Sequence, residues 1–315
     1  MSYALLFPGQ GSQEVGMAKS LVDRSITAQS LFQRADEALG FSLSKIIFDG
    51  PAEELRKTEY TQPAILVASL AAFEVLREEM GCDLNPAFLA GHSLGEYSAL
   101  VASGVLALED GVRLVRLRGH LMQDAVGLGE GAMAALLGLD ADKVREICAS
   151  FGEERVCEAA NFNAPGQIVI SGHADAVEEA IAMAKEAGAK RAVLLNVSAP
   201  FHCRLMRPVA DKLEEAFAKM TWCEPTWPIV TNAWAKAEDR ISGLQKALYE
   251  QTYSPVLWEE SMTYLAEEGV DRFLEVGPGR VLTGLAKKSV KGSATASLAE
   301  HADLGGALAF LKGGQ

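Results

Sequence analysis

The stretch FLAGHSLGEYSAL (Phe88–Leu100) decides how this chain reads. Phe88, Leu89 and Ala90 make a short apolar strand, and a small-residue helix is expected from about Glu96 to Ser103. Between them, Gly91-His92-Ser93-Leu94-Gly95 fits the G-x-S-x-G pattern of a nucleophile elbow. So tight a strand-to-helix turn leaves room only for small residues on either side of the serine. It thrusts the Ser93 hydroxyl out of the backbone and puts the Leu94 N–H at a helix start, where unpaired donors face an anion. The alternative is an ordinary glycine-flanked serine turn. The strand before and the helix after favour the nucleophile.

Outward from the elbow, Tyr3–Phe7 reads as a buried strand stopped by Pro8-Gly9, and helical patterns fall at Ser30–Ala38 and Gln62–Glu79, with Pro63 suited to a first helical turn. Short strands alternating with helices imply a parallel sheet in an α/β domain. The middle of the chain differs. GAMAALLGL, ADKVREICASFG, VCEAANFN, GQIVISGH, ADAVEEAIAMAKEAG and KRAVLLNV give strand, helix, strand, strand, helix, strand. That is the split-βαβ or ferredoxin-like order. The expected organisation is an α/β-hydrolase-like large domain of residues 1–128 and 198–315, carrying an inserted ferredoxin-like subdomain of residues 129–197. The large domain resumes in WPIVTNA and RFLEVGPG, two further strand-to-loop transitions.

A serine hydroxyl needs a base to become a nucleophile. Of the five histidines, His92 adjoins Ser93 and should point away from its hydroxyl. His120 lies on the polar side of a helix, His173 at a strand end in the insert, and His301 near the tail. His202, in NVSAPFHCRLM, is left as the best base. Hydrolases with this elbow order their residues Ser, Asp or Glu, then His. No acidic residue between 93 and 202 sits in an obvious strand-end loop, which points to a backbone carbonyl as the group orienting His202.

In EDGVRLVRLRGHLMQDA, Leu114, Leu117, Leu121 and Ala125 share one helical face, with Arg113, Arg116, His120, Gln123 and Asp124 opposite. Arg118 falls on the apolar face. A buried guanidinium needs either a protein carboxylate or the anionic group of a ligand, and its planar fork suits a carboxylate. The loop FPGQGSQ lacks the spacing and the acidic partner of a dinucleotide loop. It suits a second oxyanion donor instead, the Gln10 N–H. NFNAPGQ offers Asn161 and Asn163 at a strand end, as ligand contacts or as turn caps.

The 315 residues are 49% hydrophobic, enough for a substantial core in one large domain or one domain with an insert. With 42 acidic and 29 basic residues, the formal charge is −13, which speaks against a nucleic-acid partner. Cys82, Cys148, Cys157, Cys203 and Cys223 are odd in number and without CxxC spacing, as expected of reduced thiols in a cytoplasmic protein with no metal site. The N-terminus lacks the features of a signal peptide. The longest apolar stretch, Ala64–Leu76, contains Glu74 and falls short of the roughly 20 residues of a membrane span. No membrane partner is expected, and the tail KGGQ should fray.

Taken together, FPGQGSQ, GHSLGEYSAL, RLRG, NFNAPGQ, SAPFH, EQTYSPVLW and EVGPGRVLTGL resemble the malonyl-CoA:acyl carrier protein transacylase family of fatty acid synthesis, in the family's order and over nearly the whole chain. The resemblance implies that Ser93 is the acylated nucleophile and His202 its base. Arg118 would bind the malonyl carboxylate, and the N–H groups of Gln10 and Leu94 would form the oxyanion hole. It also implies that the main-chain carbonyl of Gln251 orients His202, and that Phe201 crowds a substituent on the malonyl α-carbon. No position among these departs from the family pattern. The implied reaction is ping-pong acyl transfer from malonyl-CoA to acyl carrier protein, by a monomer using no cofactor beyond the CoA thioester substrate. The carrier is strongly acidic in this family's systems. A −13 protein must then present a local basic patch, for which Lys190-Arg191 and Lys287-Lys288, with Lys291, are candidates.

Three alternatives stand beside this reading. A serine esterase or thioesterase would use water as acceptor, against which Arg118 and the missing acid both argue. A non-catalytic carrier-binding module would not need Ser93, His202 and Arg118 together. A stand-alone acyltransferase of a polyketide pathway shares every motif.

Overall fold

In the computed structural model, residues 2–127, 129–197 and 199–313 are described. The expected domain boundaries at 128 and 198, and the end of the tail at 314–315, lie outside the described residues. In chain order the strands are β1 (Ser2–Phe7), β2 (Phe88–Gly91), β3 (Gly131–Leu137), β4 (Cys157–Ala164), β5 (Gln167–His173), β6 (Arg191–Leu194), β7 (Ile229–Val230), β8 (Ala237–Glu238), β9 (Val256–Leu257), β10 (Val270–Val276) and β11 (Ala294–Leu298).

Six of them form one sheet in the order β11-β10-β1-β2-β7-β8. All neighbours run parallel except β7 and β8, an antiparallel edge the sequence pattern does not reveal. Leu5, Leu6 and Phe7 of β1 have no exposed surface, as befits a parallel strand covered on both faces. The helix Thr58–Met80 supplies much of that cover and is buried along most of its length. It begins four residues before the expected Gln62, so Pro63 lies in its second turn. Proline has no N–H to offer the carbonyl four residues back, so one ladder bond is absent there. No helix among the described residues is long and apolar enough to cross a membrane.

Register places the site. Phe7 pairs with Gly91, so β1 and β2 end side by side, and the His92 N–H donates to the Phe7 carbonyl at 3.0 Å. The glycine loop after β1 and the elbow after β2 therefore leave the sheet together, at its carboxyl edge. Open α/β sheets carry their ligand sites there.

The second sheet has the order β6-β3-β5-β4-β9. Its first four strands are antiparallel and follow the ferredoxin-like order. The helices Ala141–Ala149 and Ala174–Glu186 contribute Val144, Ile147, Val177 and Ala180 to a core with Leu136, Ile168 and Ile170. Pro165 and Gly166, the latter at φ 68°, turn the β4–β5 hairpin. β6 is shorter than the eight-residue run KRAVLLNV. It is an edge strand, paired among the described residues with β3 alone, and Val193 and Leu194 are 38% and 47% exposed. The sheet also reaches beyond residues 129–197, because β9 adds in parallel to β4 through Asn161 opposite Val256.

Candidate active site

The elbow is built by three backbones in contact. A Cβ on Gly91 would meet the Gly95 carbonyl carbon at 1.9 Å, one on Gly95 the Phe7 oxygen at 2.0 Å, and one on Gly9 the His92 oxygen at 2.4 Å. Only glycine allows this approach. Ser93 itself sits at φ 52°, ψ −105°, a region that costs a non-glycine residue energy and must be held from outside. Asn232 holds it. Its Oδ1 accepts from the Ser93 N–H at 2.6 Å and its Nδ2 donates to the Gly91 carbonyl at 2.7 Å. Gly95→Ala is expected to destabilise the fold by about 1–3 kcal/mol, because its methyl would overlap a backbone oxygen that cannot move alone. Thermal melting checks this, and an unchanged Tm would contradict the packing described.

On this turn the Ser93 Oγ lies 2.7 Å from His202 Nε2, and His202 Nδ1 lies 2.8 Å from the Gln251 main-chain oxygen. A carbonyl can only accept, so Nδ1 carries the proton and Nε2 is left as an acceptor for the serine hydroxyl. His202 is buried. Burial, and next the charge of Arg118, push its pKa down to about 3. The imidazole is thus neutral, and in the free protein kcat/KM for acylation should show no loss from histidine protonation between pH 8 and pH 5. Rapid-quench acylation across that range measures it. A midpoint at the ordinary imidazole value would show that the ring is not held neutral.

Arg118, on the helix Leu108–Gln123, is 1% exposed. The buried stripe of that helix differs from the expected one. It runs through Gly111, Val112, Leu114, Val115, Arg118, Gly119 and Met122, while Leu117 is 36% exposed. The helix is turned toward its glycines. A Cβ on Gly119 would lie 2.6 Å from the Thr58 oxygen, so the closest helix contact runs along the glycine side rather than the leucine side. Arg118 Nη1 donates to Gln62 Oε1 at 2.8 Å, and Nη2 donates to Ser93 Oγ at 3.1 Å and Gln251 Oε1 at 3.0 Å. The face of Tyr97 lies 5.2 Å from the guanidinium carbon, a cation–π contact. Nε has no partner, and among the described residues no carboxylate forms a salt bridge with Arg118. Of the two uses open to a buried arginine, the geometry has the one that leaves its charge for a ligand.

A cavity of about 240 Å³ opens over these groups, lined by Gln10, Ser93, Arg118, Asn161, Asn163, Phe201 and His202 among others. Leu94 is not part of its wall. Its side chain is in the main core, and only its N–H, at the first residue of the elbow helix, adjoins the serine. The Ser93 N–H is already taken by Asn232, which leaves the following N–H as the elbow's donor. Asn163 Oδ1 lies 2.7 Å from His92 Nε2, and the His92 ring packs on Trp258. His92 is thereby engaged away from the Ser93 hydroxyl. His120 is exposed beside Asp124, and His173 Nδ1 accepts from the Val156 N–H.

The basic candidates are all exposed. Lys287 and Lys288 end the helix Val281–Ser289, whose Val281, Leu282 and Leu285 line the cavity. Lys288 Nζ donates to Gln167, another lining residue, at 3.0 Å. Lys190 and Arg191 lead into β6, after which Leu195 and Val197 reach the cavity wall. Lys291 follows just beyond the Val281–Ser289 helix.

Sequence reasoning passed over Gln62, Asn232 and Glu96. Asn232 stands in WPIVTNA, two residues past the end of β7, and a polar residue beyond the carboxyl end of a parallel strand was the available signal. Glu96 is 1% exposed despite its charge. Nothing in EYSAL marks it as buried except the small, apolar company it keeps.

A strained serine on a strand-to-helix turn, a neutral imidazole on its hydroxyl and a waiting cation in the cavity over them define the serine enzymes that move acyl groups through an ester. The acyl transferase domain model matches residues 4–310. The malonyl CoA-acyl carrier protein transacylase of Escherichia coli (strain K12) is 48% identical over 306 residues, 97% of this chain and 98% of that one. Among solved structures, an acyl-carrier-protein S-malonyltransferase from Bartonella henselae is 44% identical with a TM-score of 0.96, covering 99% of this chain and 100% of that one. A malonyl-transacylase solved in complex with its type II PKS acyl-carrier protein is 43% identical with a TM-score of 0.95, covering 99% and 100%. The chain belongs to the malonyl-CoA:acyl carrier protein transacylase family of acyltransferases.

Proposed function

We propose that this chain transfers the malonyl group from malonyl-CoA to the phosphopantetheine thiol of acyl carrier protein, supplying fatty acid synthesis through a malonyl ester on Ser93. The observation that carries this reading is the buried guanidinium of Arg118, hydrogen-bonded to the Ser93 hydroxyl and without a carboxylate partner among the described residues. A carboxylate on the acyl group completes it.

His202 Nε2 takes the Ser93 proton as Oγ attacks the thioester carbonyl. The Gln10 and Leu94 N–H groups receive the oxyanion, and CoA leaves as its thiol with the proton from His202. In the second half the carrier thiol gives its proton to His202 and attacks the ester, and Ser93 leaves with that proton. The Gln251 carbonyl keeps the imidazole in one tautomer throughout. Asn161 and Asn163 contact the substrate in the cavity, and Phe201 beside the base crowds the malonyl α-carbon. No step calls for a cofactor. Lys190, Arg191, Lys287 and Lys288 lie on the two elements flanking the cavity and are the proposed docking groups for the acidic carrier. We also read the protein as a cytoplasmic monomer without nucleic-acid or membrane partners, with residues 1–128 and 198–315 as the large domain and 129–197 as the small one.

The test is intact mass after mixing with malonyl-CoA, and then with holo acyl carrier protein. One malonyl ester should appear and then discharge onto the carrier. An ester that never forms, or that discharges to water as fast as to carrier, would sink the reading, the latter in favour of a thioesterase. The relative solved with a type II PKS carrier favours a polyketide supply as the second reading. Transfer rates to the two kinds of carrier separate them.

A further inference from the structure

One buried carboxylate behind the cavity has no part in the steps above. Glu96 stands in the first turn of the elbow helix Leu94–Ala102. Its Oε2 accepts from Gln251 Nε2 and from the Asn232 N–H, both at 2.9 Å, while Oε1 is buried without a partner among the described residues. A carboxylate in such a place lowers stability unless it organises its surroundings.

What it organises is Gln251. The Nε2 of that side chain also donates to the Ser93 carbonyl at 3.0 Å, its Oε1 accepts from Arg118 Nη2 at 3.0 Å, and its main-chain oxygen accepts from His202 Nδ1 at 2.8 Å. A carboxamide can be turned end for end. Burial pushes the Glu96 pKa up to about 7, but the backbone N–H of Asn232 fixes Oε2 as an acceptor with or without a proton on Oε1, so Oε2 draws the NH₂ end of Gln251 to itself and leaves the oxygen end for the arginine. Through its second contact Glu96 also grips the Asn232 backbone, whose side chain holds the strained serine. The serine, the base and the cation therefore share one anchor, placed outside the cavity.

We propose that Glu96 is a positioning residue for malonyl transfer, acting through Gln251 on the His202 base and the Arg118 guanidinium together. The proposal rests on the transfer reaction above. It also supplies the acid that the serine-acid-histidine order lacks, moved one residue back from the imidazole.

Glu96→Gln keeps an acceptor for both N–H groups, whereas Glu96→Ala removes it. In Glu96→Ala, kcat for malonyl transfer should fall by about 100-fold, the cost of a small misplacement of reacting groups, while Glu96→Gln recovers most of the wild-type rate. A structural role alone would not move the imidazole proton resonances. The downfield Nδ1–H signal of His202 should be kept in Glu96→Gln and be lost or broadened in Glu96→Ala. Glu96→Leu, nearer in volume, serves if the alanine variant does not fold. Wild-type rate and an unchanged His202 signal in a folded alanine or leucine variant would overturn the proposal, as would a glutamine variant as slow as the alanine one. If wild type itself forms no malonyl ester, the transfer reading falls with it. If wild type forms the ester and the alanine variant matches it, the role of Glu96 falls alone.

Discussion

Ser93→Ala is expected to form no malonyl ester and to lose transfer by roughly 10⁶ in kcat, the scale seen when a serine nucleophile is removed. The size follows from what remains. His202 is left without a hydroxyl to deprotonate, and the N–H donors and Arg118 can still hold the thioester but have nothing to attack it with. The fold should survive, because the elbow's strain is carried by the Gly91–Gly95 contact and by Asn232, whose bonds go to the backbone rather than to the serine hydroxyl. Intact mass with malonyl-CoA reads the ester, and carrier malonylation reads the rate. An ester that persists in a folded Ser93→Ala protein would move the nucleophile elsewhere.

Arg118→Ala should split the substrates. Malonyl transfer is expected to drop by about 10³ in kcat/KM, the loss that follows when a desolvated charge pair is cut. Transfer of an uncharged acyl group such as acetyl should hold or rise. Two effects favour the uncharged group. The alanine removes an anion site that such a group cannot use. It also lifts the positive charge that, after burial, is the next cause holding His202 far below the ordinary imidazole range, so the base strengthens. The three oxygens that now share the guanidinium, on Gln62, Ser93 and Gln251, will need water in its place. Rates for malonyl-CoA and acetyl-CoA measured side by side decide the matter. Equal losses for both would mean that Arg118 shapes the site without reading the acyl carboxylate.

Much of this was legible in the chain because the features are local. G-x-S-x-G must bend as it does, since the Cβ contacts at Gly91 and Gly95 leave no other residue there. The β-α-β-β-α-β middle announced itself through period and turn residues, and the sheet order agrees. Arg118 was placed inside, and the face drawn for its helix was right in part: Leu114 is buried, and Leu121 and Ala125 pack against the core. Leu117 is the exception, left at the surface while Gly119 lies against the Thr58 backbone. What stayed hidden depends on distant segments meeting. Glu96 and Gln251 are 155 residues apart, and Asn232 reaches Ser93 across 139. No periodicity encodes such meetings. The short β8 and β9 were missed for the related reason that two-residue strands exist only through their neighbours, whereas β7, equally short, was legible in the apolar run of WPIVTNA.

The added strand β9 bears on how the cavity can behave. It follows directly on the helix Ile241–Tyr253, which carries Gln251, and it pairs with β4 at Asn161 and Phe162. The wall that offers Asn161 and Asn163 is thus riveted to the segment that aims the imidazole. Swinging the small sheet outward would drag on the acceptor of His202. Such a cleft is poorly suited to opening and closing like a jaw between its two visitors, the CoA thioester and then the carrier thiol. It is suited to standing as a fixed port, where a slender pantetheine arm must thread in and withdraw while the wall keeps still.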